Sequence, residues 1–539
     1  MQSSAGLPTL ILTGASGLLG KYLLEEFKNE FRIFAIARRS QYECNAPRHP
    51  NIAWMRADIA DISSITKTFS EIQTAGGADF LIHLAAYYDF ENEYHLEYQR
   101  TNINGTANII QLAKNMKLKL FVFASSVAAC SFPAENEFVD EDTPADGEHI
   151  YAKSKKAGEE MVKNFAGHTP SCIIRLGAIF SDWCEYAPLY MQINTWIGNS
   201  PKSKIVAGHG NSSVPYVHVR DVLRFMRELL YHYGMFNSGE TLVVSTNGST
   251  SHLQLYKLIT HYFFGNELKP VLLPKFVCAF GIYLLIAVKF FLHINFFEKP
   301  WMLKYIDKKL DVKIKRTDKI IDWSPDPRLH IEKRMPFIIE RMKSEPLTWQ
   351  LRNSMILRKS ELRIDFVIYS VLADDEDIII DKIIDSINTA NDQRRLLAAP
   401  NSDSQEIMWF VKFIYRLILT SINTNNKLLI QNYFEASSVN RFETGFNYES
   451  IAFILRKIEE GIIDHLSSDE RLNKSRKELY DFISLPIDFA IDEAEQQYHL
   501  YIHNITTNNR DEIQKQKYAS ASARELLEET IWSCLVNRK

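Results

Sequence analysis

A chain of 539 residues is longer than one ordinary domain, so two or three folding units are expected before any motif is read. With 46% hydrophobic and 24% charged residues and a formal charge of -4, the composition is globular and lacks the basic excess of a nucleic-acid binder. The six cysteines, Cys44, Cys130, Cys172, Cys184, Cys278 and Cys534, show no CxxC or CxxH spacing, which leaves no zinc pattern and fits free thiols in a reducing cytoplasm.

The opening apolar run leads straight into glycines rather than to a cleavage site, so it reads as a first strand, not a signal peptide. Short apolar segments then alternate with helical ones: LILTG, a helix from Leu19, FRIFAIARR, a helix near Ile62, DFLIHLAA, a helix from Thr101, and KLFVFASS. Further strands are expected at SCIIRLGAIF and ETLVVSTN. This order predicts an α/β fold, a Rossmann-like doubly wound parallel sheet, over residues 1–250.

Residues 251–357 read as a small substrate-side cap. They include the apolar stretch FVCAFGIYLLIAVKFFLHI, residues 276–294, for which a buried or pocket-lining helix leads over a helix lying on a membrane and over a true span. WSPDP marks a loop and IEKRMPFIIERM resumes helical periodicity. Beyond 358 only Gly445 and Gly461 interrupt amphipathic patterns, so an all-α C-terminal domain of residues 358–539 is predicted. Lys412 and Arg416 stand on one face of a core-type helix within it.

Thr13-Gly14-Ala15-Ser16-Gly17-Leu18-Leu19-Gly20 follows a strand and opens a helix, the setting of a dinucleotide fingerprint. Gly14 allows a tight turn, Gly17 lets backbone approach a pyrophosphate, and Gly20 brings helix against strand; Ser16 and Leu18 complete the cradle, and the helix N-terminus offers N–H groups to the anion. At the end of the second strand an acidic residue would bind the 2′-hydroxyl of NAD, but Arg38 and Arg39 stand there. Two guanidiniums suit a 2′-phosphate, so NADP(H) is favoured, with NAD(H) as the alternative. Asp58, with Ile59 beside it, is placed to accept from the adenine amino group, and Asp61 could substitute. Leu84, Ala85 and Ala86 follow the fourth strand where a cofactor must pass close to backbone.

Tyr151 and Lys155 are four apart, hence on one helix face. An adjacent ammonium is expected to lower the phenol's pKa, letting Tyr151 act as general acid or base, while Lys155 can also hold the nicotinamide ribose. Earlier in the chain a strand ends in Ser125-Ser126, and Ser126 is the candidate to bond the reacting oxygen.

TGASGLLG, RADIAD, HLAA, TNINGT, FASS, YAKSK, IIRLGAIF and VPYVHVRDV occur in the order of the extended short-chain dehydrogenases/reductases, and over about residues 8–353 the chain resembles that NAD-dependent epimerase/dehydratase superfamily. The resemblance implies an active site of Ser126, Tyr151 and Lys155, with Asn102 near the cofactor and Leu176 and Ile179 beside the nicotinamide. Dehydratases of this kind usually carry an acid just after the active-site hydroxyl, whereas Val127-Ala128-Ala129 stands here. Residues 273–353 look like the 3β-hydroxysteroid dehydrogenase-like branch, and the tail is faintly similar to the helical sensor domains of RsbR-type regulators.

The leading expectation is an NADP(H)-dependent oxidoreductase reducing a ketone, or oxidising a secondary alcohol, on a small hydrophobic substrate. A nucleotide-sugar epimerase is the alternative enzyme. An NADP(H)-sensing interaction protein signalling through the helical tail to a protein partner is the reading from another class. Cytoplasmic location, peripheral membrane contact and a homodimer are compatible with each.

Overall fold

The computed structural model describes residues 6–89, 92–292, 299–357, 364–389, 404–424, 426–443, 447–469, 472 and 475–507. Cys534 and the last two residues of the 276–294 stretch lie outside them. Two compact units are present, one within 1–38 and 46–361, the other within 39–45 and 362–539.

The first unit is built on a parallel seven-stranded sheet. Its strands are β1 (Thr9–Thr13), β2 (Arg32–Ala37), β3 (Ile52–Arg56), β4 (Phe80–His83), β5 (Leu120–Ser126), β6 (Ser171–Leu176) and the edge strand Glu240–Val244. In space the order is Glu240–Val244, β6, β5, β4, β1, β2, β3. The chain reverses its winding between β1 and β4, which opens a crevice at their carboxyl ends, where such sheets bind ligands. Leu10, Ile11 and Leu12 are fully buried, as parallel strands covered on both faces must be.

One layer of helices, α2 (Ile62–Thr74), α3 (Thr106–Ala113) and α4 (Ile150–Phe165), buries Ile65, Phe69, Ile109, Val162 and Phe165 against Ile11, Phe34, Leu81, Phe121 and Ile173. Gly158 explains how closely α4 lies on β5: a Cβ there would sit 2.3 Å from the Phe123 ring. Helix α1 (Leu18–Phe27) follows the glycine loop and buries Leu23, Leu24 and Phe27.

The cap is not confined to residues after 250. Helices Ala187–Ile197, His252–Phe264 and Ile331–Ser344 share one core of Phe180, Leu189, Trp196, Tyr216, Tyr256, Met335 and Ile338, so residues 180–216 contribute to it beside the later segment. The 276–294 expectation needs correction. Helix Lys275–Leu292 leaves Phe276, Phe280, Tyr283 and Leu284 exposed rather than buried, and among the described residues no helix is long and apolar enough to cross a membrane.

The second unit is helical, with Ile364–Asp374, Glu376–Thr389, Ser404–Thr424, Leu429–Glu443, Tyr448–Ser467 and Leu485–Thr506 around its own core of Ile383, Ile414, Phe434, Ile458 and Ile487. Gly461 permits one close crossing, since a Cβ would meet Ile383 at 2.5 Å. Arg416 pairs with Glu376 at 2.7 Å, and Lys412 lies 3.9 Å from Asp377, so both cations face the acids that open helix Glu376–Thr389.

Candidate active site

Chain reversal at the end of β1 creates the cradle. Gly14 has φ +72°, and a Cβ on it would fall 2.7 Å from the Ala85 backbone nitrogen; a Cβ on Gly20 would fall 2.5 Å from the Gly14 carbonyl oxygen. Neither space tolerates a side chain, because the atoms met are backbone. Gly17 caps α1 in extended conformation with no side chain on the first-turn N–H groups, and Leu18 begins the helix. Amides so arranged suit an anion. Leu84 and Ala85 are drawn in by bonds from their amides to the Thr13 carbonyl, 3.3 Å, and hydroxyl, 3.4 Å. The small residues of Leu84-Ala85-Ala86 thus permit the strand-to-loop contact that shapes the cradle. The residues present fit a dinucleotide.

At the adenosine end, Arg38 donates to Glu97 at 3.2 Å and lies 3.8 Å from Asp58, both buried. Asp58 in turn accepts from the Ala60 amide at 3.0 Å and from Arg100. Sequence reading had assigned Arg38 to a phosphate and Asp58 to adenine; the structure gives both protein partners, with Glu97 and Arg100 added. Asp61 accepts from Ser63 and Ser64 as the N-cap of α2. Ile59 packs where a Gly105 Cβ would otherwise stand, and Arg39 is grouped with the second unit.

Three candidates converge where β5 ends. The Ser126 hydroxyl accepts from the Ala128 amide at 3.1 Å and lies beside the Tyr151 phenol, whose pKa it lowers. Lys155, one helical turn on, reaches under the phenol with Nζ 5.7 Å from its ring centroid and donates to the Ala124 carbonyl at 2.8 Å. His149 caps α4 by accepting from the Ala152 amide, and its ring stacks near-parallel to Tyr151. Tyr88 meets Tyr151 with centroids 4.5 Å apart. Leu176 lies in register with Ser126 on β6, and Ile179 pairs with Val217 in the short strand beyond. Asn102 does something more local than touching a ligand: its amide brackets Tyr87 by 2.6 and 2.9 Å bonds and donates to Ser154 of α4.

Sequence reasoning missed Glu159. It continues the Tyr151–Lys155 face one turn further, accepts from Ser125 at 2.6 Å, and holds Arg175 through bonds of 3.0 and 2.8 Å. Four-residue spacing could have found it. Tyr88 has no comparable signal, because a loop delivers it.

Electrostatically the site departs from expectation. Burial, not the lysine, dominates at Tyr151, and its phenol is pushed up to about 12, with the neighbouring Ser126 side chain acting downward. Burial lowers Lys155 to about 8, opposed by the Glu159 charge. His83, buried between Thr13 and Thr106, is held down at about 3 by burial and by Lys155, so it stays neutral. For Lys155 the sign is plain: the ammonium predominates below about 8 and is lost above it. Turnover is expected to show a falling limb near that pH. A rate that stays level up to the ordinary lysine pKa of about 10.4 would contradict it. Among the described residues no group of His, Cys, Asp or Glu could hold a metal.

With this geometry the comparison with known families is direct. Residues 10–245 match the NAD dependent epimerase/dehydratase family. Similar proteins include an N-acetyl-alpha-D-glucosaminyl-diphospho-ditrans,octacis-undecaprenol 4-epimerase of Escherichia coli O157:H7, 28% identical over 32% of this chain and 49% of the relative. A uronate dehydrogenase of Pseudomonas syringae is 26% identical over 32% and 60%, and UDP-glucose 4-epimerase 2 of Oryza sativa 24% over 39% and 51%. The chain thus spans about half the length of these curated relatives. Among solved structures, UDP-glucose 4-epimerase of Thermotoga maritima with UDP-glucose aligns at 17% identity over 62% of this chain and 98% of that one, TM-score 0.48. UDP-glucuronic acid 4-epimerase of Bacillus cereus with UDP-glucuronic acid and NAD aligns at 16% over 62% and 99%, TM-score 0.47.

Proposed function

We propose that this enzyme epimerises a sugar nucleotide by oxidising and re-reducing one secondary-alcohol carbon. The observation that carries the reading is the convergence of Ser126, Tyr151 and Lys155 at the end of β5 within the segment that matches the epimerase/dehydratase family. The 4-epimerases among its relatives support epimerisation over the net ketone reduction expected from sequence.

Gly14, Gly17 and Gly20, with the first turn of α1, would hold the dinucleotide's pyrophosphate, and Lys155 its nicotinamide ribose. Bound there, the nicotinamide supplies a reversible hydride acceptor. Ser126 orients the substrate hydroxyl, and Tyr151, acting as its phenolate, takes the hydroxyl proton as the carbon is oxidised and returns it on reduction. Lys155 favours the transient phenolate by its charge. Dehydration would need an acid beside Ser126, and the turn there is Val127–Ala129, all apolar.

NAD(H) and NADP(H) both fit this cradle. The NADP(H) preference rests on Arg38 and Arg39, and Glu97 and Asp58 already offset the charge of the first. A second reading, a net NAD(P)-dependent dehydrogenase or reductase, draws on the uronate dehydrogenase relative, and it is the one under which an apolar, 3β-hydroxysteroid-like substrate would be taken.

Proton NMR of UDP-sugars incubated with the protein, run beside an assay of net cofactor oxidation or reduction, separates the two. Epimerisation gives a mixture of two stereoisomers with no net change in cofactor. Stoichiometric cofactor turnover with steroid or β-keto acceptors, and no epimer, would replace the first reading with the second. In the same assay, Arg38→Ala is expected to weaken NADPH more than NADH if the preference holds, and equal effects would remove it.

A further inference from the structure

Four arginines open onto one cavity that contains none of Ser126, Tyr151 and Lys155. It has a volume of about 450 Å³ and is lined by Arg220, Arg224, Asp326, Arg328, Leu329 and Arg334. That size lies within the roughly 300–1,000 Å³ of small-molecule sites.

Like charges converge here only because carboxylates hold them from behind. Asp182 receives both Arg334, through Nε at 2.7 Å and Nη2 at 2.6 Å, and Arg220 at 2.7 Å. Asp221 receives Arg224 at 2.7 Å, and Asp326 receives Arg328 through Nη2, also at 2.7 Å. Bonds from His218 and Arg334 keep Asp182 well below the usual carboxylate range despite its burial, and Arg328 holds Asp326 at about 2. Three carboxylates against four guanidiniums leave one positive charge over, and the His218 ring also meets Asp182 at 3.3 Å.

The bonds use a consistent subset of donors. Arg220 and Arg224 bond through Nη2 alone, and Arg328 and Arg334 through Nε and Nη2. Each Nη1 therefore makes no hydrogen bond to a described residue. Arg334 is further fixed by its guanidinium lying 3.7 Å over the Phe337 ring. Planar guanidiniums anchored on one edge and open on the other suit the tetrahedral, multiply charged oxygens of phosphate.

We propose that this cavity binds a phosphorylated small molecule, recognised through a phosphate or diphosphate group. The site is independent of the epimerase reading. Its anion meets Arg220, Arg224, Arg328 and Arg334, and the three carboxylates keep the cluster assembled when the anion leaves.

Calorimetric titration of the full chain with inorganic pyrophosphate and with phosphate tests it. Saturable binding of pyrophosphate is expected, weakening with salt and weakening about tenfold or more in Arg328→Gln, the loss of one charge-assisted bond. Arg328 is largely solvent-exposed, so this variant should fold as the parent does, and Arg220→Gln serves as a second. Absence of saturable binding overturns the proposal. So does binding indifferent to both substitutions, which would place the anion in the glycine cradle. Binding only to vesicles bearing phosphorylated headgroups, with none to pyrophosphate, would overturn the small-molecule assignment.

Discussion

Tyr151→Phe is expected to lower turnover by about 10²–10⁴-fold, the usual contribution of a positioned general acid or base. The substitution removes one oxygen. The ring that meets Tyr88 at 4.5 Å and stacks near His149 is retained, so the aromatic wall of the site stays in place. Lys155 keeps its bond to the Ala124 carbonyl, and the glycine cradle lies on another element. Cofactor affinity and melting temperature should therefore stay close to those of the parent while the chemical step fails. A variant that keeps parental turnover would remove Tyr151 from the mechanism; one that loses cofactor affinity in proportion would reassign it to binding. Kinetics and cofactor titration on the same preparation decide between these.

Arg175→Leu is expected to destabilise the first unit by about 3–5 kcal/mol, because it strands a buried carboxylate. Arg175 is 1% exposed, and Glu159, its partner through two bonds, is equally buried. Without the guanidinium, Glu159 keeps the Ser125 hydroxyl as its one side-chain donor, too little for a full charge in that interior. The first unit's melting transition should fall by roughly 6–20 °C on the ordinary scaling for large domains. Replacing both residues, Arg175→Leu with Glu159→Leu, should recover much of the loss, since no lone charge is left inside. A single variant that melts with the parent would show that water or a shifted side chain already reaches Glu159.

What could be read in the sequence was whatever depends on neighbours a few residues away. The TGASGLLG loop needs only a strand before it and a helix after it. Tyr151 and Lys155 share a face by helical period alone. The parallel sheet follows from strand and helix alternating, and the edge strand Glu240–Val244, the most doubtful by composition, is present. Long-range partners were not legible. Arg175 comes from a different strand to meet Glu159, and Glu97 and Arg100 reach Arg38 and Asp58 from a π-helical turn that no local pattern announces. Burial was misjudged for the same reason. Apolar content marks Phe276, Phe280 and Tyr283 as interior, but exposure depends on what packs against a helix, and these three face outward. The phenol's shift failed likewise: an adjacent cation is visible in sequence, whereas the desolvation that outweighs it is not.

The row that runs inward from Tyr151 has one more implication. Lys155, Glu159 and Arg175 are all buried, and their formal charges leave an excess of one positive charge. A proton departing the phenol therefore cancels an interior charge instead of creating one. The protein has met the cost of that imbalance in folding, so its polarisation is set before any reactant arrives.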